Sequence, residues 1–336
     1  MKKVLSIVIT LALIAVFAGC ANLQTGEVSK SDIPTIATTS SVSKNEANAE
    51  TTTETPSTDV SGESTVATAP ASETVKLTDL TSVADAPKMT DKLTDNYGNT
   101  YGEAVINYTT NYEYLLDGKY SALKGTLYIP NGESSDEAIT LTVKGDGYVL
   151  YSSPLMAKTS RPQDFEVNIS GINKLVIQWS KNTNYISCCL ANAVLVSGEG
   201  EALDTKTLPR EITDLTSIAE KPKTTDKLTD VLGNTYNYAI YNSIGKDSCF
   251  EYLLDKKYGK FKGTLYFPKG ETTTESFTVT LTADGEKIYE SPAMTTTSGP
   301  VDFEVDVSKC NDFKINFSKN GNWGTICIGN AYIYDA

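Results

Sequence analysis

Phe165-Glu166-Val167-Asn168-Ile169 alternates apolar and polar residues, and Phe303-Glu304-Val305-Asp306-Val307 does the same 138 positions later. Strict alternation places every second side chain on one face of a strand, so each stretch reads as a strand with one buried face. Working outward from the first copy, Thr126-Leu127-Tyr128-Ile129 is a second strand, closed by the turn-like Pro130-Asn131-Gly132. Residues 138–143 put Ile139, Leu141 and Val143 on one face. Gly145-Asp146-Gly147 then turns tightly into Tyr148-Val149-Leu150-Tyr151, and residues 174–179 give another apolar strand. Turn residues punctuate these runs every 8–14 positions, the signature of an all-β sandwich. One short helical turn is expected before each core, around Thr81-Ser82-Val83-Ala84.

The repetition covers nearly all of this region. Thr78-Asp79-Leu80-Thr81-Ser82 returns as Thr213-Asp214-Leu215-Thr216-Ser217, and Asp91-Lys92-Leu93-Thr94-Asp95 as Asp226-Lys227-Leu228-Thr229-Asp230, both 135 positions on. Glu113-Tyr114-Leu115-Leu116-Asp117 returns as Glu251-Tyr252-Leu253-Leu254-Asp255, 138 positions on, so the second copy carries three extra residues. A period this long is a tandem duplication of a whole domain rather than a solenoid repeat. The expected domains are residues 75–200 and 208–336, joined by a polar stretch.

Residues 20–74 have a different composition. Runs such as Thr51-Thr52-Thr53 and Ser57-Thr58-Asp59-Val60-Ser61 dominate, and aromatic residues are absent. Such a segment cannot bury enough surface to offset ordering entropy, and is expected to be a disordered tether with an r.m.s. reach of roughly 40 Å. Before it, Met1-Lys2-Lys3 precedes the uncharged apolar residues 4–18, which read as a secretory signal over residues 1–19. Phe17-Ala18-Gly19-Cys20 resembles a bacterial lipobox, which implies a lipid on Cys20 and anchoring at the extracytoplasmic face of the cell membrane.

The formal net charge is −13, which disfavours contact with nucleic acid. Histidine is absent, removing the commonest general base and zinc ligand and any Ser-His or Cys-His chemistry. With many acids but no sign of a catalytic domain beside two small β-rich copies, the chain reads as a non-enzyme. Beyond Cys20 the cysteines are Cys188, Cys189, Cys249, Cys310 and Cys327. Their odd number and irregular spacing favour buried thiols, with a bridge among Cys249, Cys310 and Cys327 left open. No cofactor is expected. Asp79, Asp91 and Asp95, with Asp214, Asp226 and Asp230, admit calcium, but without a recognised ligand spacing they read as a solvated acidic face.

The order of motifs within each copy resembles the NPCBM/NEW2 domain, a carbohydrate-binding module found beside glycoside hydrolases. The first copy carries it as Leu116-Asp117-Gly118-Lys119-Tyr120, Gly125-Thr126-Leu127-Tyr128, Gly145-Asp146-Gly147 and Tyr151-Ser152-Ser153-Pro154-Leu155-Met156. The second carries it as Leu254-Asp255-Lys256-Lys257-Tyr258, Gly263-Thr264-Leu265-Tyr266, Asp284-Gly285 and Tyr289-Glu290-Ser291-Pro292-Ala293-Met294. The resemblance implies a galactose-binding-like jelly roll and a glycan partner. Two stretches depart from it. Thr110-Asn111-Tyr112 and Ser248-Cys249-Phe250 stand where the family often has Gly and His, and Leu190 and Ile328 stand where its closing strand has Trp.

A sugar offers an apolar face to an aromatic ring and hydroxyls to amides and carboxylates. Lys181-Asn182-Thr183-Asn184-Tyr185 aligns with Lys319-Asn320-Gly321-Asn322-Trp323, giving two loops with the same Asn-x-Asn-aromatic pattern. These are the candidate binding residues, with Asn192 and Asn330 as further candidates at strand ends. The competing reading is a turn whose Asn residues bond their own backbone under a ring that caps the sandwich. The functional alternatives are therefore weak glycan binding strengthened by tandem display, or a structural or adhesive envelope role through protein contacts. Oligomeric state has no signature in the sequence.

Overall fold

The computed structural model describes residues 73–181, 183–241, 248–319 and 324–336. The expected signal segment, Cys20 and nearly all of the tether lie outside the described residues. In the first copy, one sheet runs in the order Gln163–Asn168, Tyr120–Tyr128, Cys189–Ser197, Ala104–Ile106, Lys88–Met89. Thr74–Lys76 pairs with the second half of Cys189–Ser197, on the edge where Ala104–Ile106 pairs with the first half. The facing sheet is Asn111–Leu115, Lys174–Trp179, Leu141–Gly145, Tyr148–Ser152. The second copy repeats both sheets, from Val301–Asp306 to Lys223–Thr224 and from Ser248–Leu253 to Glu286–Glu290. All these pairings are antiparallel, as expected for a β-sandwich.

The period-2 reading holds residue by residue. Ile139, Leu141 and Val143 are all buried in the first core, together with Phe165, Val167 and Ile169. The second core is richer in phenylalanine. Phe261, Phe277, Phe313 and Phe317 occupy the places of Leu123, Ile139, Leu175 and Trp179, and Phe261 and Phe313 meet edge-on at 5.2 Å. The glycine of each Gly-Thr-Leu-Tyr motif has a packing reason. A Cβ on Gly125 would lie 2.8 Å from Leu190, and one on Gly263 2.6 Å from Ile328.

The Asp-Gly hairpins have positive φ at both central residues, 48° and 85° for Asp146 and Gly147, the mirror-image turn that suits twisted strands. The Asp146 carboxylate accepts hydrogen bonds from the backbone N–H groups of Asn173 and Lys174, which fastens the hairpin to the neighbouring strand.

Two expectations are corrected and one open alternative is decided. The helical turn lies at Leu77–Asp79 and Ile212–Asp214, earlier than Thr81-Ser82-Val83-Ala84, because Leu77 and Ile212 are the apolar side chains that anchor it in the core. Asp95 and Asp230 are not part of a solvated face; they are 1% and 0% exposed. The open cysteine bridge does not form. Cys310 sits in the second main core, Cys327 in a separate outer cluster with Tyr266, and Cys249 is half-buried on the strand Ser248–Leu253, all as free thiols. Burial pushes the Cys189 and Cys327 thiols up to about 12 and Cys310 to about 11.

The copies also dock on each other, which the sequence reading did not anticipate. In the first copy both faces of Leu141–Gly145 are buried, whereas the outward side chains of Phe277–Ala283 are half-exposed. The difference is cover. Lys144 Nζ, on the outward face, lies 2.7 Å from Glu211 Oε2 and 3.0 Å from Asp214 Oδ2 of the second copy. Beside it the Arg210 guanidinium stacks 3.6 Å from the centroid of the Tyr148 ring and donates to the Asp146 carbonyl at 3.0 Å, while the Tyr148 hydroxyl donates to Asp335. Gly147 makes room for this contact, since a Cβ there would stand 2.6 Å from Arg210 Nη1.

Candidate functional site

Asn107, fully buried at the end of Ala104–Ile106, builds the loop that holds the first candidate aromatic residue. Its Nδ2 donates to the carbonyls of Lys181 and Ile186, its Oδ1 accepts from the Cys188 N–H at 2.9 Å, and its own carbonyl accepts from the Thr183 N–H. One side chain thus ties both ends of the loop to the sheet and satisfies buried backbone groups that would otherwise be costly. Sequence reasoning missed Asn107. Its signal was a lone amide closing the apolar run Ala104-Val105-Ile106.

Held this way, Tyr185 projects outward with 53% of its surface exposed, and Asn184 beside it is also exposed. Lys181 Nζ stands 5.7 Å from the Tyr185 ring centroid and is held by Glu137 and, at 3.8 Å, by Asp226 of the second copy. Tyr185 therefore does not cap the sandwich. Asn182, Asn320, Asn322 and Trp323 lie outside the described residues.

The ring borders a groove of about 1020 Å³ between the two copies. The polar residues Asn111 and Gln178 line it from the first copy, and Lys223, Asp226 and Asn237 from the second. This is a polar cleft with one exposed aromatic edge, the combination that suits a hydroxyl-rich ligand.

Asn192 and Asn330 are not at strand ends. Each sits inside the closing strand of its copy at φ 50° and 49°, where the register with the neighbouring strand shifts, so each is the left-handed residue of a β-bulge. Asn tolerates that conformation better than most residues. Asn330 Oδ1 accepts from the Asn237 N–H at 3.1 Å, and the residue borders a second depression of about 520 Å³ with Tyr332 and Tyr334, distinct from the Tyr185 groove. The structure thus brings neither Asn192 nor Asn330 into the lining of that groove.

The buried acids are committed to turns. Asp95 Oδ1 accepts from the N–H groups of Tyr97 and Asn99, and Oδ2 from Asn99 Nδ2 and the Tyr101 hydroxyl. Asp230 repeats the arrangement with Leu232, Asn234 and Tyr236. Burial alone would raise both carboxyls, but these donors outweigh it and hold them below the usual carboxylate range. Among the described residues no group of three acids or cysteines is placed to hold a metal ion.

Against known proteins, the NPCBM/NEW2 domain profile matches residues 101–194 and again 228–327. No curated relative matches the chain. The solved structures most similar to it include the tandem CBM51 modules of the family 98 glycoside hydrolase from Streptococcus pneumoniae SP3-BS71, at 11% identity over 79% of this chain and 99% of that one, with a TM-score of 0.33. The CBM51 module of Clostridium perfringens GH95, solved in complex with methyl-galactose, aligns at 16% identity over 37% of this chain and 100% of that one, with a TM-score of 0.31. The M60 catalytic domain of Clostridium perfringens ZmpB with its two CBM51 domains aligns at 13% identity and a TM-score of 0.32; the match takes in 79% of this chain but only 39% of that protein. With two matched stretches that together span more than half of its residues, each lying within one β-sandwich, the chain belongs to the NPCBM/NEW2 domain family.

Proposed function

We propose that the protein is a lipid-anchored envelope protein of the extracytoplasmic face, and that its two NPCBM/NEW2 domains hold glycans without cleaving them. The observation that carries this reading is Tyr185, an exposed ring on a braced loop at the edge of a polar groove. With 53% of its surface open, the Tyr185 ring is free to stack on the apolar face of a sugar. Ala18-Gly19-Cys20 after an apolar segment supports the anchor, and the Ser/Thr-rich stretch behind it supports a tether that lets the domains reach a polymer. Individual contacts of this kind are weak, and tandem display would strengthen them by avidity.

The test is a glycan array with the full chain, followed by titration of a hit against wild type, Tyr185→Ala and Trp323→Ala, with thermal melts in parallel. Stacking contributes on the order of 1 kcal/mol beyond area burial, so each loss should weaken binding by roughly tenfold. Unchanged affinity together with lowered melting temperatures would make both rings packing residues. An array without hits would favour the adhesive role.

A further inference from the structure

We infer that the groove between the copies is one composite site for an anionic oligosaccharide, its carboxylates met by Lys221, Lys223 and Lys227 and one sugar face by Tyr185. This rests on the glycan-binding reading above and adds the charge of the ligand and the dependence on both copies. The acids of the groove are already engaged. Glu211 and Asp214 face Lys144, and Asp226 faces Lys181. The three lysines on the opposite wall are exposed and make no ion pair among the described residues. An entering ligand therefore meets three exposed lysines on one wall and an aromatic face on the other; since Glu211 and Asp214 share Lys144, and Glu137 and Asp226 share Lys181, the groove as a whole keeps a surplus of one positive charge in a chain whose overall charge is −13.

The site occurs once per chain. The copies meet along the outward face of residues 140–144, where Thr140 and Thr142 are nearly fully buried against the second copy, and the groove borders that contact. The equivalent face of the second copy, carrying Thr278, Thr280 and Thr282, is half-exposed, so no second groove of this kind forms among the described residues. A groove of about 1020 Å³ lies at the upper end of small-ligand cavities and takes several sugar units rather than one.

The experiment titrates the full chain with hexasaccharides of hyaluronan, oligogalacturonate and alginate, and with each after its carboxylates have been reduced to alcohols. At least one charged probe should bind, its reduced form should bind at least tenfold more weakly, and affinity should fall with added salt. Lys223→Glu combined with Lys227→Glu on one wall, and Tyr185→Ala with Asn111→Ala on the other, should each cost at least tenfold while melting stays at the wild-type temperature. Equal binding of charged and reduced probes, lost with Tyr185→Ala but indifferent to the lysines, would overturn the anionic site and leave the glycan-binding reading standing. Lysine dependence without any effect of the first-copy wall would overturn the composite site. Binding of none of the probes, with neutral array glycans still bound, would overturn this inference alone; with none bound, both fall.

Discussion

Replacing Lys144 with Met tests whether charge docks the two copies. The substitution nearly conserves volume but leaves the Glu211 carboxylate, 3% exposed, without its cation. Removing one member of a buried ion pair costs about 3–5 kcal/mol, because the remaining charge is stranded away from water. Asp214 is 35% exposed and regains solvent, so it adds no more than a surface pair would, at most about 1 kcal/mol. The molecule has two ways to limit the loss: protonating Glu211 or opening the interface. Burial already raises the Glu211 carboxyl, and the attraction of Lys144 opposes that rise; without Lys144 it climbs further. A raised carboxyl contributes stability that is full below the unfolded value of about 4.3 and is lost as pH rises through the folded value. The expected deficit is therefore about 3 kcal/mol at pH 7 and smaller at pH 5. Urea denaturation of the full chain at both pH values measures it. Lys144→Met combined with Glu211→Leu should recover to within about 1 kcal/mol of wild type, since an apolar pair replaces a buried ion pair at little cost. A single variant as stable as wild type at pH 7, or a double variant no better than the single, would refute charge-driven docking.

Asp230→Ala should destabilise the second copy by about 2–4 kcal/mol in thermal melts, because it strips acceptors from the Tyr236 hydroxyl, Asn234 and two backbone N–H groups. Since Asp95 and Asp230 are held low, their contribution should persist above about pH 4 and disappear as pH falls below it, read as a steepening acid limb in the stability profile of wild type that Asp230→Ala lacks in part. Cys188, Cys189, Cys310 and Cys327 should resist alkylation at pH 8 in the native protein and react after denaturation; rapid native labelling of all four would contradict their burial. Cys20→Ala should release the protein from the membrane or leave it unprocessed, and unchanged partition into detergent would rule out the anchor.

The strands and the duplication were legible because alternation is a local property: Phe165 and Val167 needed only their own neighbours to announce a buried face. Tyr185 was legible by its residue type and loop, but the groove beside it was not, because its walls come from both copies. The docking depended on a lysine and a glutamate 67 positions apart. Comparing the copies offered a hint: Lys144 corresponds to Thr282 and Glu211 to Lys76, so charge changes at two outward positions that ought to be equivalent. Asp95 and Asp230 were misread because an acidic residue in a loop looks solvated until its donors are placed around it. The repeated Asp, Gly, Asn and Tyr at fixed offsets in 95–101 and 230–236 carried that information as a turn signature.

The inequality of the two copies at the docking surface also bears on contacts between molecules. A contact between different faces of like units, the outward sheet of one against the leading edge of the next, repeats without limit unless something ends it. In this chain the free outward sheet presents Thr282 and Glu286 where the occupied one has Lys144 and Tyr148, and the free leading edge presents Lys76 where the occupied one has Glu211. A second molecule arriving end-on would bring Lys76 and Asp79 against Thr282, with neither the buried cation nor its glutamate. The ion pair that joins the copies within one chain is therefore not offered between chains, because the two copies have diverged at the very positions that dock.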